Sequence, residues 1–359
     1  MRSTTTTRSN RTRNPRKKTR VTKAGALVIG VSSRALFDLE EENRIFEQEG
    51  LEAYRKYQLD HEEQILRPGT GFSLIKALLG FNQRYPDQLE IRVVVMSRNS
   101  ANAGIRILRS VQHYGLAIRS GVFSRGEPLS RYLEAFQTDL FLSKDHKDVQ
   151  TAIDAGFAAA VIYDPPTGHE PDDRTVRLAF DADAVIFSEE SERIYKEHGI
   201  EAFLAYERKN ARKPLPEGPF AKLFKKLSLV QPEPDSDTPP IRIAIVSSRN
   251  FEIQERVIRT LRAWEAPIDQ AFFLGGLDKA PILAAIRPHI FFDDQDVHVG
   301  PASHVVPAAR VPYRAESGGN RTKAPCEQNV SARFSGPGTP TTATSKTTSV
   351  RKPGRKLPK

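Results

Sequence analysis

The chain has 359 residues, a length typical of about two domains. Its composition is 38% hydrophobic, which excludes a wholly disordered protein. The formal net charge of +10 is concentrated at the ends: residues 1–23 hold nine Lys and Arg without an acid, and residues 314–359 hold ten with two acids. Because these ends together carry +17, the body between them carries −7. An acidic body argues against specific nucleic-acid binding and restricts weak polyanion contacts to the ends.

The cysteine content and the hydropathy pattern indicate a cytoplasmic protein. The single cysteine, Cys326, excludes a disulfide within one chain. No apolar run approaches the roughly 18–20 residues that a membrane span needs, and the basic N-terminus lacks the apolar segment of a secretory signal. We therefore expect no membrane partner, and we expect disordered basic tails over 1–23 and 314–359.

Short apolar runs alternate with longer segments of helical spacing along the body. The runs are continuous and rich in β-branched residues, as is typical of strands buried on both faces of a parallel sheet. They predict strands at Ala26–Val31, Ile91–Met96, Leu140–Leu142, Ala158–Tyr163, Val176–Phe180, Ile241–Val246, Gln270–Leu274 and Ile290–Phe292. Helices are predicted between them, notably over 40–61 and 188–212. This alternation predicts an α/β fold with a mainly parallel sheet.

The body also contains an internal repeat. Aligned with itself at an offset of 149 residues, the sequence matches Ala35, Glu41, Arg44 and Ile45 with Ala184, Glu190, Arg193 and Ile194. At an offset of 150, it matches Ser97, Arg109, Gly126 and Phe141 with Ser247, Arg259, Gly276 and Phe291. A register that persists through strands and loops predicts two tandem α/β units, over about 24–165 and 174–313.

Carboxylates follow two predicted strands of the second unit. Asp181 and Asp183 come directly after one strand, and Asp293 and Asp294 end another. Since ligands bind at the carboxyl ends of parallel strands, these acids predict a hard oxygen site suited to Mg²⁺. Between them in the chain, Ser247 follows a strand and Lys279 opens a helical pattern. Taken singly, such residues also serve as turn, cap or solvated surface residues, and the prediction depends on their occurring together.

This ordered set resembles the motifs of the haloacid dehalogenase superfamily: Asp-x-Asp, a strand-end Ser or Thr, a Lys and a paired acid. A closer resemblance, over about 26–313, is to the cytosolic type I 5′-nucleotidase family. It is carried by ValSerSerArgAlaLeuPhe (31–37), AlaPheAspAlaAspAlaValIlePhe (179–187), SerGluArgIle (191–194) and IleArgProHisIlePhePheAspAspGln (286–295). The chain differs from the animal members at Ser247, where we expect Thr. The resemblance implies tandem Rossmann-like units with helical cap insertions, the second cap spanning about 188–240.

The resemblance also implies a reaction and the residues that perform it. Asp181 would be the nucleophile and Asp183 the general acid and base. Ser247 and Lys279 would bind the phosphate. Mg²⁺ would be held by Asp181, by Asp183 through its backbone carbonyl, and by one or both of Asp293 and Asp294, of which we favour Asp294 as the direct ligand.

The function expected on this basis is Mg²⁺-dependent hydrolysis of nucleoside 5′-monophosphates, with AMP the expected substrate. The alternatives are a related phosphatase for another small phosphomonoester and a non-catalytic nucleotide-binding protein. The sequence leaves open whether the chain forms a homo-oligomer. Neither Asp296 nor His298 is needed for the mechanism, and surface or packing roles are expected for both.

The first unit lacks the carboxylates of the second and is predicted to be degenerate and catalytically silent. Opposite Asp181 and Asp183 stand Ser32 and Arg34, opposite Lys279 stands Leu129, and opposite the paired acids stand Ser143 and Lys144. Arg34 and Asn99 are therefore candidates to contact a phosphate-bearing effector or part of the substrate. The alternative is that this unit only stabilises the second by packing and helps to close its cap.

Overall fold

The computed structural model describes residues 25–169, 171, 174–230 and 239–315. The predicted basic tails lie outside the described residues except for Arg314 and Ala315, and Cys326 lies outside them as well. Residues 231–238 are likewise outside the described part of the chain.

The described residues form ten strands in one sheet. The strand Leu27–Ser32, which has a neighbour on each side, is buried at every residue, as is typical of a strand covered on both faces. All eight predicted strands are present, and two further strands, the third and the tenth, escaped prediction. In chain order the strands are β1 Leu27–Ser32, β2 Ile91–Ser97, β3 Ser120–Phe123, β4 Leu140–Ser143, β5 Ala159–Ile162, β6 Val176–Phe180, β7 Ile241–Ser247, β8 Gln270–Phe273, β9 Ile290–Asp293 and β10 Ala308–Arg310.

Helices connect most of these strands, which confirms the α/β fold class. The long helices that follow the first strand of each half are each bent at a glycine with positive φ, Gly50 at 86° and Gly199 at 81°, a conformation that costs glycine little. In chain order the helices are α1 Ser33–Leu36, α2 Glu40–Asp60, α3 Phe72–Arg84, α4 Ile105–His113, α5 Ser130–Ala135, α6 His146–Asp154, α7 Glu190–Lys209, α8 Ala221–Ser228, α9 Glu255–Ala263, α10 Ala280–Ile286 and α11 Asp296–Ser303. The segment predicted as a cap, 188–240, thus contains α7 and α8.

The strand order is β3-β2-β1-β4-β5-β10-β9-β6-β7-β8. Strands β1–β5 form one half of the sheet and β6–β10 the other, and each half has the same internal order. All pairs within a half are parallel, whereas β5 and β10 pair antiparallel where the halves meet. Consequently the carboxyl ends of the two halves open at opposite edges of one continuous sheet. The domain boundaries predicted from the repeat remain a prediction.

The core beneath the second half is aromatic where it supports the strand ends. The rings of Phe180 and Phe292 stack with centroids 5.2 Å apart, and Phe220 lies 5.1 Å from Phe292. All three side chains are fully buried, and burying each one contributes about 1.5–3 kcal/mol. Because Phe180 and Phe292 directly precede Asp181 and Asp293, this packing fixes the position of both acids. No helix in the described ranges is long and apolar enough to cross a membrane.

Candidate active site

The sheet brings three predicted site residues together at one edge. Strand β6 lies between β7 and β9, with Phe180 in register with Ile245 and with Phe292. Asp181 follows β6, and its backbone N–H donates to the carbonyl of Phe292 at 2.7 Å. Since Ser247 and Asp293 end the two flanking strands, the sequence prediction of a shared strand-end site matches this arrangement.

Lys279 is buried between the two carboxylates. It lies at the N-terminal boundary of α10, and only 1% of its side chain is exposed. Its Nζ donates to Asp181 and, at 2.7 Å, to Asp293 Oδ2. Burial opposes the ammonium charge, but attraction by Asp181 and Asp293 outweighs burial and raises the pKa of Lys279. The alternative of a solvated helix-start lysine is therefore wrong.

Asp181 is a buried carboxyl group with a strongly raised pKa. Burial, together with the negative charges of Asp293 and Asp183, raises its pKa to about 7, although Lys279 opposes the shift. The pKa of Asp293 is also raised, chiefly by burial. Two buried carboxylates therefore share one buried ammonium. Because one positive charge balances only one of the two negative charges, the site can accept a further cation.

Asp294 differs from Asp293 in its partners. Asp293 accepts from Lys279 and from the backbone N–H of Gln295 at 2.9 Å. Asp294 accepts from the Tyr313 hydroxyl on one oxygen only, and its Oδ1 is buried with no hydrogen-bond partner. Burial and the neighbouring charges of Glu192, Asp293 and Asp181 raise the pKa of Asp294 well above its usual range.

These acids fit a divalent cation in charge and in available oxygen atoms. Asp181, Asp293 and Asp294 interact electrostatically, and Oδ1 of Asp294 is a buried oxygen without a donor. Within the described ranges, no three His, Cys, Asp or Glu side chains form a metal-binding group by themselves. The ligand set implied by the resemblance needs only two carboxylates and one backbone carbonyl, and Mg²⁺ commonly keeps several waters. The free oxygen of Asp294 supports our preference for that residue as the ligand.

Asp183 is held by an arginine that the sequence analysis missed. Arg249 donates to both carboxylate oxygens of Asp183, from Nε at 2.6 Å and from Nη2 at 2.5 Å. The next residue, Ala184, has φ of 56°, and such left-handed backbone at a non-glycine residue is concentrated at functional sites. Asp183 is thus held by the loop after β7, whereas the hydrogen bonds of Lys279 go to Asp181 and Asp293.

A buried acid on α7 holds Arg249 in turn. Glu207, with no exposed side-chain surface, accepts from Arg249 Nη1 at 2.7 Å and from Arg256 Nη1 at 2.9 Å. Ser191 donates to the same carboxylate at 2.8 Å. The repeat holds a signal for this network: Arg256 has Arg106 opposite it, whereas Arg249 and Glu207 have Asn99 and Gln58. Arg249 and Glu207, which have no charged counterpart in the first half, therefore mark residues of the site. The arginine that both halves share belongs to the common fold.

The remaining predicted residues of the second half lie beside this network. Ser247 is buried, and its hydroxyl accepts from the backbone N–H of Arg249 at 3.2 Å. His298 Nε2 lies 3.3 Å from the Ser248 hydroxyl, and burial with the charge of Lys279 lowers the pKa of His298 to about 4. Asp296 pairs with Arg310 at 2.9 Å. These contacts agree with the packing roles expected for His298 and Asp296.

Arg34 and Asn99 lie at the other edge of the sheet. Arg34 pairs with Glu40 at 3.2 Å, and Asn99 accepts from the Tyr54 hydroxyl at 2.8 Å. Both residues follow strands of the first half, whose carboxyl ends point opposite to those of the second. The antiparallel junction thus separates them from Asp181, and the structure does not support a contact with substrate bound there.

Comparison with known proteins relates this site to a family. The family model described as 5′-nucleotidase matches residues 19–318. The chain belongs to the 5′-nucleotidase family. A human relative, cytosolic 5′-nucleotidase 1B, is 41% identical over an alignment of 284 residues that covers 76% of this chain and 47% of the relative. This 5′-nucleotidase family member thus spans about half the length of the relative that it matches. The two findings confirm the predicted membership of the cytosolic type I family.

Proposed function

We propose that the chain is a Mg²⁺-dependent 5′-nucleotidase that converts nucleoside 5′-monophosphates, AMP among them, into nucleoside and phosphate. The observation that carries this proposal is the buried Lys279 that donates to Asp181 and Asp293 at the ends of neighbouring strands. A buried ion pair of this kind contributes little net stability, so its presence at a strand-end site favours a catalytic role. Family membership supports the substrate class.

Asp181 acts as the nucleophile. One of its carboxylate oxygens attacks phosphorus, the bond between phosphorus and the 5′-oxygen breaks, and an aspartyl phosphate forms. Lys279 and the Ser247 hydroxyl bind the phosphoryl oxygens, where charge is stabilised during transfer. Asp183 donates a proton to the leaving 5′-oxygen.

The second step returns the enzyme to its starting state. Water attacks the phosphorus of the aspartyl phosphate while Asp183 accepts a proton from it, and the bond to the Asp181 oxygen breaks to release phosphate. Arg249 is a positioning residue here, because its two-point contact fixes the orientation of the Asp183 carboxylate.

Mg²⁺, when bound, would neutralise part of the negative charge of the carboxylates and of the phosphate. Asp181, the backbone carbonyl of Asp183 and Asp294 are the groups proposed to hold it, with Asp293 kept in place by Lys279 and Gln295. We further propose that the chain acts in the cytoplasm, as the name of the human relative says of that protein.

The test is phosphate release from a panel of ribo- and deoxyribonucleoside monophosphates and unrelated phosphomonoesters, with Mg²⁺ and after chelation. We expect turnover of nucleoside monophosphates with Mg²⁺, little turnover after chelation, and none with Asp181→Asn. Asp87→Asn, an exposed acid far from the site in sequence, is the matched control. Turnover of other phosphomonoesters alone would favour the related phosphatase, and nucleotide binding without turnover would favour the non-catalytic alternative.

A further inference from the structure

The first half contains a cavity at the place where the second half has its active site. Its volume is about 410 Å³, within the range of small-molecule sites. The strand ends that carry Asp181, Ser247 and Asp293 in the second half carry Ser32, Ser97 and Ser143 in the first, and all three serines line the cavity. The repeated fold therefore forms a pocket here without the nucleophile.

Cationic groups of this cavity are available to a ligand. Arg34 uses one terminal nitrogen to pair with Glu40, but its Nε is buried and has no hydrogen-bond partner. The guanidinium of Arg125 is exposed at the cavity and forms no ion pair within the described ranges. Of the three acids in the lining, Asp148 pairs with Arg98, Glu42 pairs with Arg106, and Asp145 accepts from the backbone N–H of Asp148 at 2.9 Å.

The backbone of Arg125 supports a functional role for its side chain. Its φ is 50°, and its counterpart in the second half is Gly275, with φ of 59°. Glycine adopts this left-handed conformation freely, whereas other L-residues pay about 1 kcal/mol or more. An arginine at such a position is strained, and strain of this kind is concentrated at binding sites.

One wall of the cavity is apolar and open to solvent. Phe46 is 48% exposed and Leu51 47% exposed, and both line the cavity. Phe46 also packs edge-on against Tyr54, with ring centroids 5.9 Å apart. The cavity thus combines cationic donors with an aromatic and aliphatic surface, which suits an anionic molecule that has a flat apolar ring.

We propose that this cavity binds a phosphorylated small molecule with an aromatic ring and does not hydrolyse it. The phosphate meets Arg125 and the free Nε of Arg34, and the ring packs against Phe46 and Leu51. Hydrolysis does not follow, because Ser32 stands where the second half has Asp181. The site is separate from the proposed catalytic one, which opens at the opposite edge of the sheet.

The test is calorimetric titration of the full chain carrying Asp181→Asn, with AMP as the probe. Two AMP sites per chain are expected. Adding Arg125→Gly, which reproduces the residue of the second half, weakens one site about tenfold, the value of one charge-assisted hydrogen bond, and leaves the other unchanged. Arg131→Ala, an exposed arginine paired with Glu127, leaves both sites unchanged.

A second variant and a second ligand keep the test decisive even if the Arg125→Gly variant fails to fold. Phe46→Ala, at an exposed side chain, weakens the same site about threefold through lost ring contact. Inorganic phosphate competes with AMP at this site, because it carries the anionic group alone. Binding of AMP at one site or at two, with no site weakened by Arg125→Gly or by Phe46→Ala, overturns the proposal. Failure of phosphate release by the unaltered chain would instead contradict the proposed function and leave this site in place.

Discussion

The two halves of the sheet have the same strand order but different strand-end chemistry. In the second half, Asp181 and Asp293 share the buried Lys279, whereas the first half has Ser32, Ser143 and Leu129 at the same positions. The first half keeps its strands, its bent helix and its core without these charges. The comparison teaches that the fold does not depend on the buried acids. Burying these acids costs free energy of folding. Their presence in the second half is explained by the proposed reaction, since function is commonly retained at the expense of stability.

The strongest test of this comparison replaces Lys279 with leucine, the residue that the first half has at the corresponding position, Leu129. Lys279→Leu removes the cation that Asp181 and Asp293 share, and we expect phosphate release to fall about 10³-fold. The two carboxylates are then buried without a cationic partner, so their pKa values rise and the folded state binds more protons than the unfolded state. Stability is therefore lost as pH rises.

The measurement is a melting temperature for Lys279→Leu and for the unaltered chain at pH 5 and at pH 8. The melting temperature of the variant should lie further below that of the unaltered chain at pH 8 than at pH 5. Lys209→Leu, at an exposed position, controls for the loss of a lysine charge. A deficit of equal size at both pH values would show that Lys279 does not compensate these carboxylates.

Arg249→Asn makes the second half resemble the first at the position of Asn99. It removes the two hydrogen bonds that orient Asp183 and leaves Glu207 with one arginine fewer. We expect kcat to fall about 10²-fold with a smaller change in KM. Arg249→Lys should recover part of the rate, and Glu207→Gln should cost about tenfold because it acts through Arg249. Equal losses in kcat for Lys and Asn at this position would contradict a positioning role.

Two glycines test whether the halves have the same framework. Gly50 and Gly199 both have positive φ, and a Cβ at either would meet nothing within 4 Å. Alanine at each should therefore destabilise the protein by a similar amount, about 1 kcal/mol. Gly218→Ala should cost more, since its Cβ would lie 2.2 Å from the Phe187 carbonyl oxygen. Denaturant unfolding measures the stability of all three variants. Unequal losses of stability at Gly50 and Gly199 would contradict the view that the two helices bend in the same way.

The smallest effect concerns His298, whose counterpart in the first half is Asp148. Burial lowers the pKa of His298 to about 4, below the value near 6.5 expected in the unfolded chain. The unfolded state therefore binds more protons between these values, and stability falls as pH drops from about 6.5 toward 4. His298→Gln should remove this part of the acid sensitivity, which we expect to be about 2–4 °C in melting temperature. An unchanged slope of melting temperature against pH would contradict a neutral, buried His298.

The repeat held more information about the strands than the apolar runs did. Strand β3 was missed because Ser120–Phe123 is a short edge strand with exposed residues. An offset of 150 maps it directly onto β8, which the apolar pattern predicted. Strand β10 has three residues, too few for any periodicity. The Arg249–Glu207–Arg256 network was missed because its members lie far apart in the chain and only packing pairs them.

The sequence by itself determined the α/β class, the duplication and the convergence of Asp181, Ser247 and Asp293, whereas Lys279 was assigned to the site by the family resemblance. These follow from local patterns, because parallel strands place their carboxyl ends at a common edge. Only the tertiary structure decided how the two halves join. The antiparallel pairing of β5 with β10 involves a short strand that returns from the end of the second half, a non-local contact that no pattern encodes. That pairing places the carboxylate site and the arginine-lined cavity at opposite edges of one sheet.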